Sequence, residues 1–253
     1  MSDLKDAAAR ALACLDLTNL NEDCTEEDVL ALCDRAQTKH GPTAAICIWP
    51  QFVAAAKRRL AGTGIRIATV VNFPSGMEEA DDVMEMAEQA VDDGADEIDV
   101  VTPYPKLLEG HPQEVAAIVR RVRKEAEGAQ VKAILETGML GSPELIRSAS
   151  EQAIAGGAHF IKTSTGKVPI NATLQSARIM LEAIKASDEE VGFKPAGGVK
   201  TTEDAAAYLA LCDEIMGEGW ATPATFRIGA SGVLDALIAT LDGADAPRAA
   251  EGY

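Results

Sequence analysis

The sequence predicts a single (β/α)8 barrel, on three observations. Apolar, β-branched runs of strand length alternate with alanine-rich segments of helical period, and they do so eight times in 253 residues. No G-x-G-x-x-G turn follows the first run, which disfavours an open doubly wound sheet, the other way to arrange parallel strands. Polar residues collect late in the runs, where barrels of this type gather their chemistry.

The strands are expected at 14–18, 44–49, 66–72, 97–101, 131–136, 159–163, 191–195 and 226–229, and the helices between them at 26–37, 51–61, 77–93, 113–127, 143–155, 174–186, 202–211 and 232–241. Several helices carry start signals. Thr25 ahead of Glu26-Glu27-Asp28 resembles a capping box, and Ser142-Pro143-Glu144 puts a proline in the first turn. Strict alternation implies parallel strands joined by helical crossovers, and eight such units close into a barrel. Residues 1–241 are expected to form this one domain. The remainder, 242–253, is rich in Gly, Ala, Asp and Pro and reads as a flexible tail.

Composition narrows the partners. Hydrophobic residues make up 47% and charged residues 25%, an ordinary globular balance. With 23 basic against 40 acidic residues the formal charge is −17, which disfavours nucleic acid and anionic membranes. Any phosphate must be held locally. The five cysteines (Cys14, Cys24, Cys33, Cys47, Cys212) include no C-x-x-C pair and read as reduced thiols of a cytoplasmic protein. The start, MSDLKDAAAR, has no leader-like apolar core, and 18 apolar residues never run together. His40, His111 and His159 stand in no ligand spacing, so a metal cofactor is not expected on them, while a carboxylate-only magnesium site stays open. A homodimer is compatible with the sequence, which does not decide the assembly.

The stretch HFIKTSTGK, residues 159–167, delivers Lys162 to the end of an apolar run. An ammonium buried without a partner is costly, and a lysine whose pKa falls becomes an amine nucleophile. A lone strand lysine more often snorkels to water. Here it has company, because Lys194 holds the matching place in the next run, VGFKPAGG. Two neighbouring ammonium groups disfavour each other, so one should lose its proton near neutral pH while the other stays charged. Asp99, late in EIDVV, offers a carboxylate that either shuttles protons or simply pairs with a lysine. Asp16, Cys47, Asn72 and Glu136 complete the late-strand candidates.

Three glycine-bearing turns follow the sixth, seventh and eighth runs: Thr165-Gly166-Lys167, Ala196-Gly197-Gly198-Val199 and Gly229-Ala230-Ser231-Gly232. Backbone N–H groups there, with the positive end of the last helix, suit a phosphate.

The segments LDLTNLNEDCTEEDV, TAAICIWP, IATVVNFPSG, ADEIDVV, GGAHFIKTSTGKV and VGFKPAGGVKT, spread over nearly the whole chain, resemble the 2-deoxyribose-5-phosphate aldolase family. That resemblance implies a metal-independent class I aldolase that cleaves 2-deoxy-D-ribose 5-phosphate to glyceraldehyde 3-phosphate and acetaldehyde, in deoxyribonucleoside catabolism. Carried over residue by residue, Lys162 becomes the Schiff-base lysine, Lys194 the lysine that tunes it and Asp99 the proton-shuttling acid. Lys167, Gly166, Gly197, Gly198 and Ser231 become phosphate and substrate positions, and Asp16, Cys47 and Thr165 line the pocket; Gly229 and Gly232 join the phosphate candidates from the glycine turns alone. Two residues depart from the pattern. Gly232 stands where relatives often carry a second serine, and His159, read as structural, stands where Asp is common. Two other readings share the barrel: a phosphosugar isomerase or epimerase with Glu136 as base, and a non-catalytic phosphosugar-binding protein. Cys47 is expected to be the thiol nearest the pocket. Tyr253, the last residue, is a candidate proton-transfer group on a tail long enough to reach the barrel mouth.

Overall fold

A computed structural model describes residues 2–244, so the flexible-tail and Tyr253 expectations lie largely or wholly outside the described residues. Eight parallel strands form the barrel: β1 (Leu15–Asn19), β2 (Ala45–Ile48), β3 (Arg66–Val71), β4 (Glu97–Val101), β5 (Gln130–Ile134), β6 (Phe160–Lys162), β7 (Gly192–Lys194) and β8 (Ile228–Ala230). Each pairs with its neighbour in sequence, and β1 pairs with β8. The remaining seam, β7 to β8, is joined by shorter bridges: Phe193 N donates to Thr225 O at 2.8 Å, Arg227 N to Phe193 O at 3.0 Å and Gly229 N to Pro195 O at 2.9 Å. The barrel the sequence predicts is therefore present.

Eleven α-helices surround it among the described residues: α1 (Ser2–Ala13), α2 (Glu26–Arg35), α3 (Val53–Arg59), α4 (Ala80–Asp92), α5 (Tyr104–Leu108), α6 (Gln113–Glu125), α7 (Thr137–Leu140), α8 (Pro143–Ala155), α9 (Leu174–Ser187), α10 (Thr202–Met216) and α11 (Val233–Asp242). Caps fix their starts. Thr25 and Asp28 exchange the reciprocal bonds of a capping box, and the Ser142 side chain accepts from Leu145 N. The alternation rule has no place for α1, α5 and α7, which lie before the first strand or within strand-to-helix connections. Helix α1 buries Ala8, Ala11 and Leu12 and packs on α10 and α11. Helix α10 outruns its expected end because Cys212 and Ile215 prolong its buried face. None of the helices is long and apolar enough to cross a membrane, among the described residues.

Two expected strands stop early for one reason. Asn72 and Glu136 both adopt a φ of 56°, in the left-handed region, which ends an extended run. Asn72 then ties its turn to the sheet, donating from Nδ2 to Val101 O at 2.8 Å and accepting from Glu78 N at 2.9 Å.

Strand alternation sorts the core into two environments. Leu15, Leu17, Ile46, Ile48, Ile98, Val100, Val131, Ala133, Ile161 and Phe193 belong to the apolar layer shared with the helices. Residues of opposite parity fill the barrel. Toward β2 and β3 they are apolar, with Cys47, Ala68, Val70, Val101 and Ile134 clustered beside Leu20 and Phe73. Toward β4 to β8 they are charged.

Candidate active site

Lys162 ends β6 and Lys194 ends β7, and the two are register partners. Both side chains are almost wholly buried. Each donates to the same carboxylate oxygen, Oδ2 of Asp99, Lys162 from 2.9 Å and Lys194 from 2.8 Å. Lys194 also donates to Asp16 Oδ2 at 2.5 Å. The sequence-derived trio is thus brought together around one carboxylate.

A second tier of charge lies with it. Lys132, the register partner of Asp99, donates to Asp99 Oδ1 at 2.7 Å and pairs with Glu97 Oε2 at 2.6 Å. Arg227 clamps two carboxylates, reaching Asp16 Oδ1 and Glu97 Oε1 at 2.7 Å each. Its guanidinium lies over the Phe160 ring, 5.6 Å from the centroid. That ring explains Gly192, where a β-carbon would come within 2.3 Å of it.

Burial alone would neutralise these groups, but their partners win. It pushes the Asp99 carboxyl up, yet Lys132, Lys162 and Lys194 hold it well below the usual range. Asp16 is likewise raised by burial and lowered more by Lys194, Arg227 and Lys132. Burial favours the neutral amine of Lys194, while Asp16 and Asp99 hold it charged and above its ordinary value. Lys132, Glu97 and Arg227 are also displaced toward their ionised forms, by their mutual contacts against burial.

Lys132, Glu97 and Arg227 were not among the sequence candidates. Two signals point to them. Glu97 lies two residues before Asp99, hence on the same strand face, and Lys132 interrupts an apolar run just as Lys162 does. The position of Arg227 one residue ahead of β8 carries no comparable signal.

Other expectations change. Asp16 lies early in its strand and not late, fully buried and held by Lys194 and Arg227 one tier below the lysine pair. Cys47 is fully buried in the apolar cluster, and burial pushes its thiol up, so a reactive thiolate gains no support there. Gly229 is packed tightly within the sheet. It sits inside β8 with its N–H donated to Pro195, and a β-carbon there would lie 2.9 Å from Ala196 Cβ and 3.0 Å from Lys194 Cε. The N–H of Gly197 is engaged too, with Gly229 O at 3.3 Å.

The turns after β6, β7 and β8 carry the other candidates. Thr165 Oγ1 donates to Glu136 Oε2 at 2.5 Å and accepts from Lys167 N at 3.0 Å. Lys167 Nζ reaches Leu20 O at 2.8 Å, tying the turn after β6 to the one after β1. Gly197 and Gly198 take φ of 79° and 88°, conformations that favour glycine. The backbone N–H groups of Gly198 and Val199 donate to nothing among the described residues. Ser231 and Gly232 stand at the amino end of α11, with Gly232 its N-cap. His159 precedes β6, accepts from Val131 N at 2.8 Å and meets Arg123, a structural position.

A closed (β/α)8 barrel with lysines gathered at its strand ends defines the class: a barrel enzyme equipped for carbonyl chemistry. A model of the DeoC/LacD family of aldolases matches residues 10–223, and the chain belongs to that family. It is 55% identical over 251 residues to a deoxyribose-phosphate aldolase of Agrobacterium fabrum, covering 98% of this chain and 97% of that protein. Two solved structures show the same fold. A Toxoplasma gondii protein provisionally named a deoxyribose-phosphate aldolase superposes with a TM-score of 0.88 at 24% identity, covering 97% of this chain and 99% of its own. A deoxyribose phosphate aldolase from Aeropyrum pernix, described as a tetramer, gives 0.75 at 24% identity, covering 94% of this chain and 97% of its own.

Proposed function

We propose that this aldolase reversibly cleaves 2-deoxy-D-ribose 5-phosphate to D-glyceraldehyde 3-phosphate and acetaldehyde, through an imine on Lys162. The observation that carries the reading is the convergence of Lys162 and Lys194 on Asp99 Oδ2 at the barrel mouth.

The amine of Lys162 adds to the C1 aldehyde, and loss of water from the carbinolamine gives a protonated imine. Lys194, held charged, can donate a proton, and Asp99, held ionised, can accept one, with water carrying it between substrate and protein. As the C3 hydroxyl loses its proton the C2–C3 bond breaks, and its electron pair moves into the iminium to form an enamine. Glyceraldehyde 3-phosphate leaves. Protonation of the enamine at C2, then hydrolysis, releases acetaldehyde and restores the amine. The open N–H groups of Gly198 and Val199 and the amino end of α11 with Ser231 and Gly232 are suited to the phosphate, with Gly166 and Lys167 on the facing turn.

An isomerase using Glu136 is less well supported, since its carboxylate is engaged by Thr165 and a lone base needs no array of lysines. A cytoplasmic location accords with five free cysteines. Reduction with cyanoborohydride in the presence of acetaldehyde, followed by peptide mapping, tests the proposal. The expected product is N-ethyl-lysine at position 162, and an adduct on another lysine, or none, overturns it.

A further inference from the structure

We infer that Arg227 and Glu97, which lie in the tier below the reacting amine, are positioning residues that set by charge the pH at which Lys162 can form its imine. The inference rests on Lys162 being the imine-forming residue.

The buried network contains three carboxylates, Asp16, Glu97 and Asp99, and three cations other than Lys162, namely Lys132, Lys194 and Arg227. These six are mutually neutral. A proton on Lys162 adds a fourth positive charge to this set, and among the described residues Asp99 is the one carboxylate within ion-pair distance of Lys162, so the balance of the six bears directly on that proton. Two chains of contact carry the influence of Arg227 upward. One runs through Asp16 to Lys194, and the other through Glu97 and Lys132, and both end on Asp99, the carboxylate that Lys162 touches.

Charged and titratable groups face Lys162 from several elements. Asp99 comes from β4, Lys132 from β5 and Lys194 from β7. Glu136, from the turn after β5, has its carboxyl pushed up by burial, against the bonds from Thr165 and the nearby charge of Lys162, and it stands outside the six as a weaker anionic neighbour common to every variant. Cys47, from β2, is a thiol pushed up by burial. Below, Arg66 approaches Glu97 Oε1 at 3.2 Å, but its side chain is 46% exposed and water screens it. The six side chains are almost wholly buried, so a charge removed at the base of the set is felt at Lys162 with little screening.

Removing a cation and removing an anion must then act in opposite senses. Arg227→Met leaves the six with a net negative charge, which favours the ammonium form of Lys162. Glu97→Gln leaves a net positive charge, which favours the free amine. A purely structural role would impair both variants alike.

The experiment measures the initial rate of N-ethylation at Lys162, by mass spectrometry of the mapped peptide, with acetaldehyde and cyanoborohydride from pH 5 to 9 in the unsubstituted protein, Arg227→Met, Arg227→Lys and Glu97→Gln. The midpoint should move up by about one pH unit in Arg227→Met and down by a similar amount in Glu97→Gln, a roughly tenfold change in rate on the acid limb. Arg227→Lys should keep the parent midpoint. Should Arg227→Met fail to fold, the direction of the Glu97→Gln shift decides alone. Midpoints that stay in place, or move in one direction in both variants, overturn the inference. Absence of the Lys162 adduct in the unsubstituted protein would overturn the underlying assignment instead.

Discussion

Lys162 and Lys194 are register partners on adjacent strands, and both donate to one oxygen of Asp99. Neither amine can change its charge without altering what the other experiences through that atom. The arrangement gives the two lysines unequal duties. Lys194 has a second carboxylate, Asp16, and stays protonated, whereas Lys162 has the smaller share of negative partners and the position at the strand end.

Lys194→Leu should therefore cut turnover at neutral pH by at least 100-fold and move the acid limb of the pH–rate profile upward. Turnover measured across pH checks both, and a limb that stays in place would show that the two amines do not communicate.

Asp99→Asn keeps the shape of the side chain but leaves buried cations facing a neutral amide, at a cost of about 3–5 kcal/mol in folding free energy. The pH dependence has a definite sign. Asp16, Glu97 and Asp99 have lowered values in the fold, so the stability they confer is present above their unfolded values near 4 and is lost as pH falls through the folded ones. Lys194 is raised, so its contribution is full below about 10.4 and is lost only as pH rises beyond that. Urea denaturation should show a plateau between about pH 5 and 9 for the parent, with a shallower acid slope for Asp99→Asn.

Ser231→Ala should raise KM for the phosphorylated substrate by the worth of one hydrogen bond to a charged group, roughly 1.5–3 kcal/mol. Reaction of unphosphorylated deoxyribose should barely change. Equal effects on the two substrates would refute a phosphate role for the hydroxyl.

Gly138→Ala tests how the turn after β6 is held. A β-carbon at Gly138 would lie 1.8 Å from the backbone oxygen of Ile170, so the segment following Lys167 must move. KM for the phosphorylated substrate should rise several-fold while the melting temperature falls by only a few degrees. Unchanged KM would mean that this contact does not position the turn.

Much of this was legible in the sequence, and the limits have physical causes. Apolar, β-branched runs placed all eight strands, and Lys162, Lys194 and Asp99 stood out because charge in such a run needs a partner. The same reasoning was not extended to Lys132, whose partners Glu97 and Asp99 come from another strand. Arg227 was hidden further, because its burial depends on a clamp across the β7–β8 seam that no local pattern encodes. Asn72 and Glu136 looked like strand residues because left-handed backbone at a non-glycine position leaves little trace in sequence. Asp16 looks late in its strand when the run begins at Cys14, whereas β1 begins at Leu15 and continues to Asn19, and register places Asp16 at the level of Gly229.

Gly229 has a consequence for the history of the protein. Any larger residue there would press on Ala196 and on the arm of Lys194, which is fixed at its far end by two carboxylates. A lineage that acquired the glycine first, or together with the lysine, would have avoided that conflict. The two positions should vary together across descendants, and reconstructed ancestors bearing Lys194 opposite a bulkier residue should be poorly active until that residue is trimmed.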